Sequence, residues 1–451
     1  MDFPTGRRGA GGAWRFQHHP LNLSISRLLS IQENAVQRGV AKHTHGQPLA
    51  VTFSPVFVLP WERIPRRLGY NETLHEAQAA RQPAIVRFLS LNMHIPDGYL
   101  SPSTCAVLYG AATPFWYIAL QRMKKALATR LIPLLSVVAA LSFVIMMFNL
   151  PLPGGTTGHA VGAAIATIVL GPWAAILAIS IALAIQAVFF GDGGITTLGA
   201  NCFNMAIVAS LVAYVVYRAV AGGAALTSPR RVAAAALAGY IAINASALCA
   251  AVEFGIQPLL FKDPRGAPLY APYPLGIAVS AMMLGHLTFA GLAEMVLSGG
   301  VVAYFQRTNP SLLKATAPND VPAAEATDRQ DIWQTLRPLA AALALLLVLT
   351  PLGILAAGTA WGEWSARDYS NPQAREQMAL ASRNVAPPSQ PPRGLKRLST
   401  LWTAPFPQYA PSFVRRPSVG YALSAMFGSG IIILISLLTG FLAGRTRGRS
   451  Q

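Results

Sequence analysis

The chain has 451 residues, of which 53% are hydrophobic and 12% charged, with a mean hydropathy of +0.43. Soluble globular chains carry about 25% charged residues, so a large soluble enzyme is excluded. The formal net charge is +18, from 35 Lys and Arg against 17 Asp and Glu. Those charges sit between long apolar runs rather than along one basic stripe, which argues against a nucleic-acid partner and for a polytopic membrane protein.

Residues 1–92 differ from the rest. They hold 11 of the 35 basic residues and five of the eight histidines, and no apolar run long enough to span a bilayer. Pro, Gly and Arg are scattered without helical or strand period, so a disordered extension is expected. No 7–15-residue apolar core marks a signal peptide. The close pairs His18–His19 and His43/His45 read either as a metal-binding tract or as incidental composition. A further reading is upstream sequence joined to the chain by a wrong start.

From Met93 onward apolar runs recur at 103–120, 131–148, 159–170, 173–190, 204–219, 232–252, 275–303, 338–357 and 421–443. A helix needs about 17–25 residues to cross the hydrocarbon, and the run 159–170, ending at Gly171-Pro172, is the shortest. The expectation is an all-α integral membrane bundle of about nine transmembrane helices, with the N-terminus outside. Sidedness follows from the basic residues. Arg122, Lys124, Lys125, Arg130, Arg218, Arg230, Arg231, Arg307, Lys314, Arg329, Arg337, Arg445, Arg447 and Arg449 fall on alternate connections, against Lys262 and Arg265 on the opposite short ones. The positive-inside rule puts the larger set in the cytoplasm, and the long segment 358–420 falls outside. Cys105, Cys202 and Cys249 are widely spaced in or beside apolar runs and read as buried thiols.

On that topology the outer face gathers three Gly- and Pro-rich segments, MHIPDG from Met93, NLPLPGGTTGH ending at His159, and FGDGGITTLGAN ending at Asn201. Irregular backbone at a membrane is tolerated where it is packed in protein or lines a cavity. Beyond residue 92 the histidines are His94, His159 and His286. If Met93 is the first residue, its α-amine, the deprotonated His94 amide and His94 Nδ1 chelate one cation through fused rings, and His159 could complete the plane. Four nitrogens in a plane suit Ni(II), Cu(II) or low-spin Co(II) and disfavour tetrahedral Zn(II).

MHIPDGYLSP (Met93–Pro102), NLPLPGGTTGH (Asn149–His159) and FGDGGITTLGANCFNMA (Phe190–Ala206), in that order, resemble the substrate-capture component of energy-coupling-factor cobalt/nickel transporters, the CbiM/NikM group. The resemblance is strong over 93–303 and weaker through TPLGILAAGTAWGEW (Thr350–Trp364). It implies that the metal is held by the N-terminal amine, the second residue's amide and imidazole, and a loop histidine. Those roles fall on Met93, His94 and His159. It further implies that translation starts at Met93, or that the extension is removed, because an internal Met93 has no amine. The region 338–451 resembles the two-helix accessory subunit of the same transporters, joined through a cytoplasmic linker, 304–337. The implied partners are a transmembrane coupling subunit and separate ATP-binding subunits in the bacterial inner membrane, with Ni(II) or Co(II) as cargo and no cofactor. No phosphate-cradling G-x-x-x-x-G-K-[ST] occurs in this chain.

Asp192, Asn201 and Asn204 are expected to order the Gly-rich loop around the metal. His286 and Glu294 are ionisable groups within a span, His286 being expected to hydrogen-bond a neighbouring helix. Trp361 and Trp364 read as interfacial anchors. Ala234–Ala238–Ala242 and Gly158–Gly162 read as close-packing stripes within the bundle. Two other classes compete. A secondary metal transporter working without an ATPase would need ionisable residues at the midplane of several helices. A membrane metalloenzyme would need an open metal position and a general base.

Overall fold

The computed structural model describes residues 93–123, 131–316, 329–356 and 358–448. The expected extension 1–92, Lys124, Lys125, Arg130, Arg449 and part of the linker 304–337 lie outside these residues. The described chain is helical, with one two-stranded hairpin.

Helix α1 (Pro102–Met123) opens with Pro102 at its first position, and the Ser101 hydroxyl accepts the Thr104 N–H at 3.1 Å. That is a cap where orphan helix donors need one. Helix α2 (Leu131–Met146) is apolar on every face and is buried over most of its length, as an all-round hydrophobic helix must be. Strands β1 (Leu150–Leu152) and β2 (Thr156–Gly158) pair antiparallel, Leu150 opposite Gly158. Helix α3 (Ala163–Leu170) is fully buried and stops at Gly171, whose φ of 79° ends the ladder. Helix α4 (Pro172–Phe190) restarts from Pro172, and Gly191 closes it in the left-handed region.

The chain continues through α5 (Leu198–Ala221), α6 (Pro229–Leu260) and α7 (Leu275–Thr308). The second region holds α8 (Arg329–Leu349), two short helices, α9 (Pro372–Ala381) and α10 (Arg393–Leu398), and α11 (Pro417–Gly448).

Helices occupy all nine expected segments, and among the described residues six are long and apolar enough to cross a membrane. The segment 159–170 corrects the sequence reading. It is helical only from Ala163, and its eight helical residues rise about 12 Å against about 30 Å of hydrocarbon. Large apolar side chains such as Val107, Val215, Val296, Val348 and Leu434 point outward, where lipid rather than water accepts them. The chain is a multi-pass membrane protein.

Small residues set the bundle's spacing. Ala234, Ala238 and Ala242 are buried, and a Cβ added at Gly239 would stand 2.6 Å from Ser298 Oγ of α7. Three helices carry π turns, Gln186–Phe190 in α4, Cys202–Val208 in α5 and His286–Ala290 in α7. Such one-residue insertions gather at functional sites; Asn204 and Met205 of the second and His286 of the third line the cavity described next, and Gln186 O of the first accepts the Asp192 N–H.

Candidate metal site

Segments far apart in sequence converge where α1 begins, α2 and α4 end, and α5 begins. Residues 93–101 enter this end without helix and turn at Asp97–Gly98. The Met93 N–H donates to Asp192 Oδ1 at 2.7 Å. Asn201 brackets the next residue but one, its Oδ1 accepting the Ile95 N–H at 3.0 Å and its Nδ2 donating to Ile95 O at 3.1 Å. Asp97 accepts the N–H groups of Ile195 and Thr196 and the Thr196 hydroxyl. Gly98, at φ +91°, passes so close to the C-terminal segment that an added Cβ would lie 2.6 Å from Leu395 Cα.

His94 is 1% exposed and neither ring nitrogen has a hydrogen-bond partner among the described residues. Nδ1 lies 3.1 Å from Asp192 Oδ1, near enough for charge attraction but out of hydrogen-bond alignment. Its ring meets that of His159 edge to face, centroids 5.0 Å apart. His159 sits between β2 and α3, with Nδ1 3.0 Å from Ala160 O and Nε2 3.2 Å from Met93 O. Burial and then the charge of His94 lower its pKa to about 4, so the ring is neutral at ordinary pH. A neutral imidazole has one N–H, yet both nitrogens face carbonyl oxygens, so one contact brings lone pairs together.

Burial by itself would raise the Asp192 carboxyl. The charge and contact of His94, with hydrogen bonds from the Tyr409 hydroxyl (2.7 Å) and Met93, overcome that and hold it below the ordinary aspartate value. Asn204 donates to Glu253 Oε2 at 2.9 Å. Asp192 and Asn201 thus bond the segment that carries Met93 and His94, whereas Asn204 bonds Glu253 and shares only the cavity with it. The residues Met93, His94, His159, Asn201, Asn204 and Glu363 share one cavity of about 80 Å³. Among the described residues no group of three His, Cys, Asp or Glu side chains is placed to hold a metal ion. Side chains alone thus make an incomplete donor set here.

Several contacts escape sequence reasoning. Glu294 of α7, marked in the sequence as an ionisable group within a span, accepts the N–H groups of Val161 at 2.7 Å and Gly162 at 3.1 Å, fixing the backbone just past His159. Tyr409 reaches Asp192 across 217 residues. Asp97 and Glu363 lie inside quoted motifs, MHIPDG and GTAWGEW, which is the only signal that marked them.

Two expectations are corrected. His286 Nδ1 meets its own helix at Met282 O (2.9 Å), a carbonyl that also accepts the His286 N–H, rather than a neighbouring helix. Trp361 and Trp364 are buried against Tyr273 and Phe254 instead of anchoring at an interface, since the C-terminal segment folds over this end of the bundle. That segment is stitched down by Thr157 N–H to Thr359 O (3.2 Å) and Tyr99 O–H to Trp364 O (2.6 Å).

The family model for the cobalt uptake substrate-specific transmembrane region (CbiM) matches residues 94–312, and that for the PDGLE domain matches 336–445. The fused nickel transport protein NikMN of Rhodobacter capsulatus is 55% identical over 79% of this chain and 99% of its own length. The fused nickel transport protein LarMN of Lactiplantibacillus plantarum, described as probable, is 40% identical over 77% of this chain and 97% of its own. A solved structure described as a truncated transition metal transporter is 49% identical, covering 48% of this chain and 99% of that one, with a TM-score of 0.45. By its 55% identity to a relative that it spans almost end to end, the chain belongs to the CbiM family and carries a PDGLE domain fused behind the family's transmembrane region.

Proposed function

We propose that this chain captures Ni(II) or Co(II) on the extracytoplasmic side and delivers it to an ATP-driven complex. One observation carries the reading. His94 has both ring nitrogens buried without a hydrogen bond, Nδ1 meeting only the Asp192 carboxylate out of alignment and Nε2 meeting nothing among the described residues, against a neutral His159, in a shared cavity. Buried polar atoms are nearly always hydrogen-bonded, so ring nitrogens without one beside a second imidazole point to an ion as the missing partner. The nickel in the names of NikMN and LarMN and the cobalt in the family's description support that class of cargo.

The donors are the Met93 α-amine, the deprotonated His94 amide, His94 Nδ1 and a His159 ring nitrogen. An amine keeps N–H bonds after coordination, so the Asp192 contact survives loading and aims the lone pair. Nδ1–H of His159 donating to Ala160 O leaves Nε2 as the donor toward Met93, and a cation there relieves the lone-pair conflict described above. The functional chain starts at Met93, by translation or processing, since only then does the amine exist. The match of the family model from residue 94 supports this.

In this reading 93–303 is the metal-capture domain, 304–337 a cytoplasmic linker and 338–451 an accessory region whose segment 358–420 faces outward. A transmembrane coupling subunit and ATP-binding subunits supply the work. Mass and N-terminal sequence of the native protein, followed by Ni(II) titration, test the proposal. One metal per chain beginning at Met93 is expected, lost in His94→Ala or when the amine is acetylated. Tight binding by a chain that retains residues 1–92 overturns it.

A further inference from the structure

The C-terminal region reaches Asp192 through the hydroxyl of Tyr409. Residues 406–409 pack on the end of α4. The Phe406 N–H donates to Phe189 O at 2.9 Å, and the Tyr409 ring stacks on Phe190 with centroids 4.6 Å apart. Tyr409 is buried, and its hydroxyl accepts from Gln186 Nε2 at 3.1 Å and donates to Asp192 Oδ2 at 2.7 Å. A phenol has one proton, and the Gln186 amide brings its own, so the tyrosine proton is left for the carboxylate.

The backbone takes an unfavourable shape to make this contact. Gln408 and Tyr409 have φ of 56° and 58°, a region that bulky side chains avoid. Such conformations persist where the surroundings over-determine them, and they cluster at functional sites. Here α11 supplies the hold: the Ser424 hydroxyl donates to Tyr409 O at 3.0 Å, and the Tyr421 ring meets the Tyr409 ring edge to face.

The two oxygens of Asp192 have separate tasks. Oδ2 takes the tyrosine proton, while Oδ1 takes the Met93 N–H at 2.7 Å and lies 3.1 Å from His94 Nδ1. The last side-chain torsion of aspartate is broad, with no staggered well to hold it. With contacts on Oδ1 alone, the carboxylate plane would be free to turn about that bond. The hydrogen bond to Oδ2 fixes the plane, and with it the direction from which Oδ1 meets the Met93 nitrogen and the His94 ring.

We propose that Tyr409 is a positioning residue for the metal site: the PDGLE region, acting through Asp192, orients the Met93 nitrogen and the His94 ring before the cation arrives. The proposal rests on the capture reading above and gives Tyr409 no contact with the cation.

The natively processed full chain in detergent is titrated with nickel chloride. Affinity is read by calorimetry, and donor geometry by the visible circular dichroism of the bound Ni(II). Tyr409→Phe, which removes one oxygen and keeps the ring, is expected to weaken affinity about tenfold and to change the dichroism. Asp192→Ala is expected to weaken it at least as far. Adding Tyr409→Phe to Asp192→Ala should then cost less than about twofold more, because the tyrosine acts through the carboxylate. A Tyr409→Phe affinity within about twofold of wild type overturns the proposal. Equal losses in the two backgrounds also overturn it, since they mark a hydroxyl that only stabilises the fold. Should Tyr409→Phe fail to fold, Ser424→Ala, which releases the Tyr409 carbonyl, is measured in the same two backgrounds. A loss of about threefold or more that vanishes beside Asp192→Ala then supports the proposal, and a smaller one overturns it. His94→Ala separates the two readings. If it abolishes binding while Tyr409→Phe binds as wild type, Tyr409 falls alone; if binding survives it unchanged, the nitrogen set is wrong and the proposal falls with it.

Discussion

Replacing Asn201 with alanine tests whether the segment carrying the donors is held by backbone hydrogen bonds. Asn201 makes both of its bonds to Ile95, one from its oxygen and one from its nitrogen. The two losses are unequal. Ile95 O keeps the Gly194 N–H at 2.9 Å and the Thr197 hydroxyl, so it stays satisfied. The Ile95 N–H has no other acceptor among the described residues, and stranding a buried donor costs about 1–3 kcal/mol. If that cost falls on the arrangement that binds metal, Ni(II) affinity drops by about 5- to 150-fold, at 1.4 kcal/mol per tenfold. Calorimetric titration of Asn201→Ala against wild type measures it, with apo melting recorded alongside. Wild-type affinity in a variant whose melting temperature has fallen would refute the reasoning, because the clamp would then stabilise the fold without positioning His94.

Stability of the metal-free protein is expected to fall as pH drops from about 6.5 to about 4. His159 has its pKa lowered from 6.5 to about 4, so in that window the unfolded chain binds the proton and the folded chain does not, a loss of up to about 3 kcal/mol. Melting scans should show this slope in wild type and lose it in His159→Gln; equal slopes would refute the assignment. Glu294→Ala strands the N–H groups of Val161 and Gly162, so it should destabilise by about 2–6 kcal/mol and weaken Ni(II) binding, both read in the same titrations. Tyr409→Phe removes the hydroxyl that donates to Asp192 and accepts from Gln186 Nε2; a loss of about 1–3 kcal/mol is expected in apo melting. Gly98→Ala should lift the C-terminal segment from the bundle by its clash with Leu395, seen as new protease cleavage within 358–420.

Much of the helical plan was readable along the chain, because each signal is local. Apolar runs of membrane length mark the helices, and Gly171-Pro172 marks a break whose geometry, with Gly171 at φ 79°, is what a left-turning residue before proline requires. His94 and His159 stood out because histidines are scarce past residue 92 and both lie in Gly- and Pro-rich connections. Other features depend on partners far away in sequence. Residues 159–162 are not helical, and Glu294, 133 residues after Val161, takes its N–H. Tryptophan looks alike at an interface and in a core, so the burial of Trp361 and Trp364 was decided only when the C-terminal segment packed over the bundle. Nothing local shows that Asp192 meets the Met93 N–H across 99 residues, or that Tyr409 closes on it from 217 residues away. Helix positions follow from short-range hydrophobic pattern and turn chemistry. The polar environment of the cavity, including the carboxyl that Glu363 brings into it, follows from which distant groups burial forces together, and that is settled by packing alone.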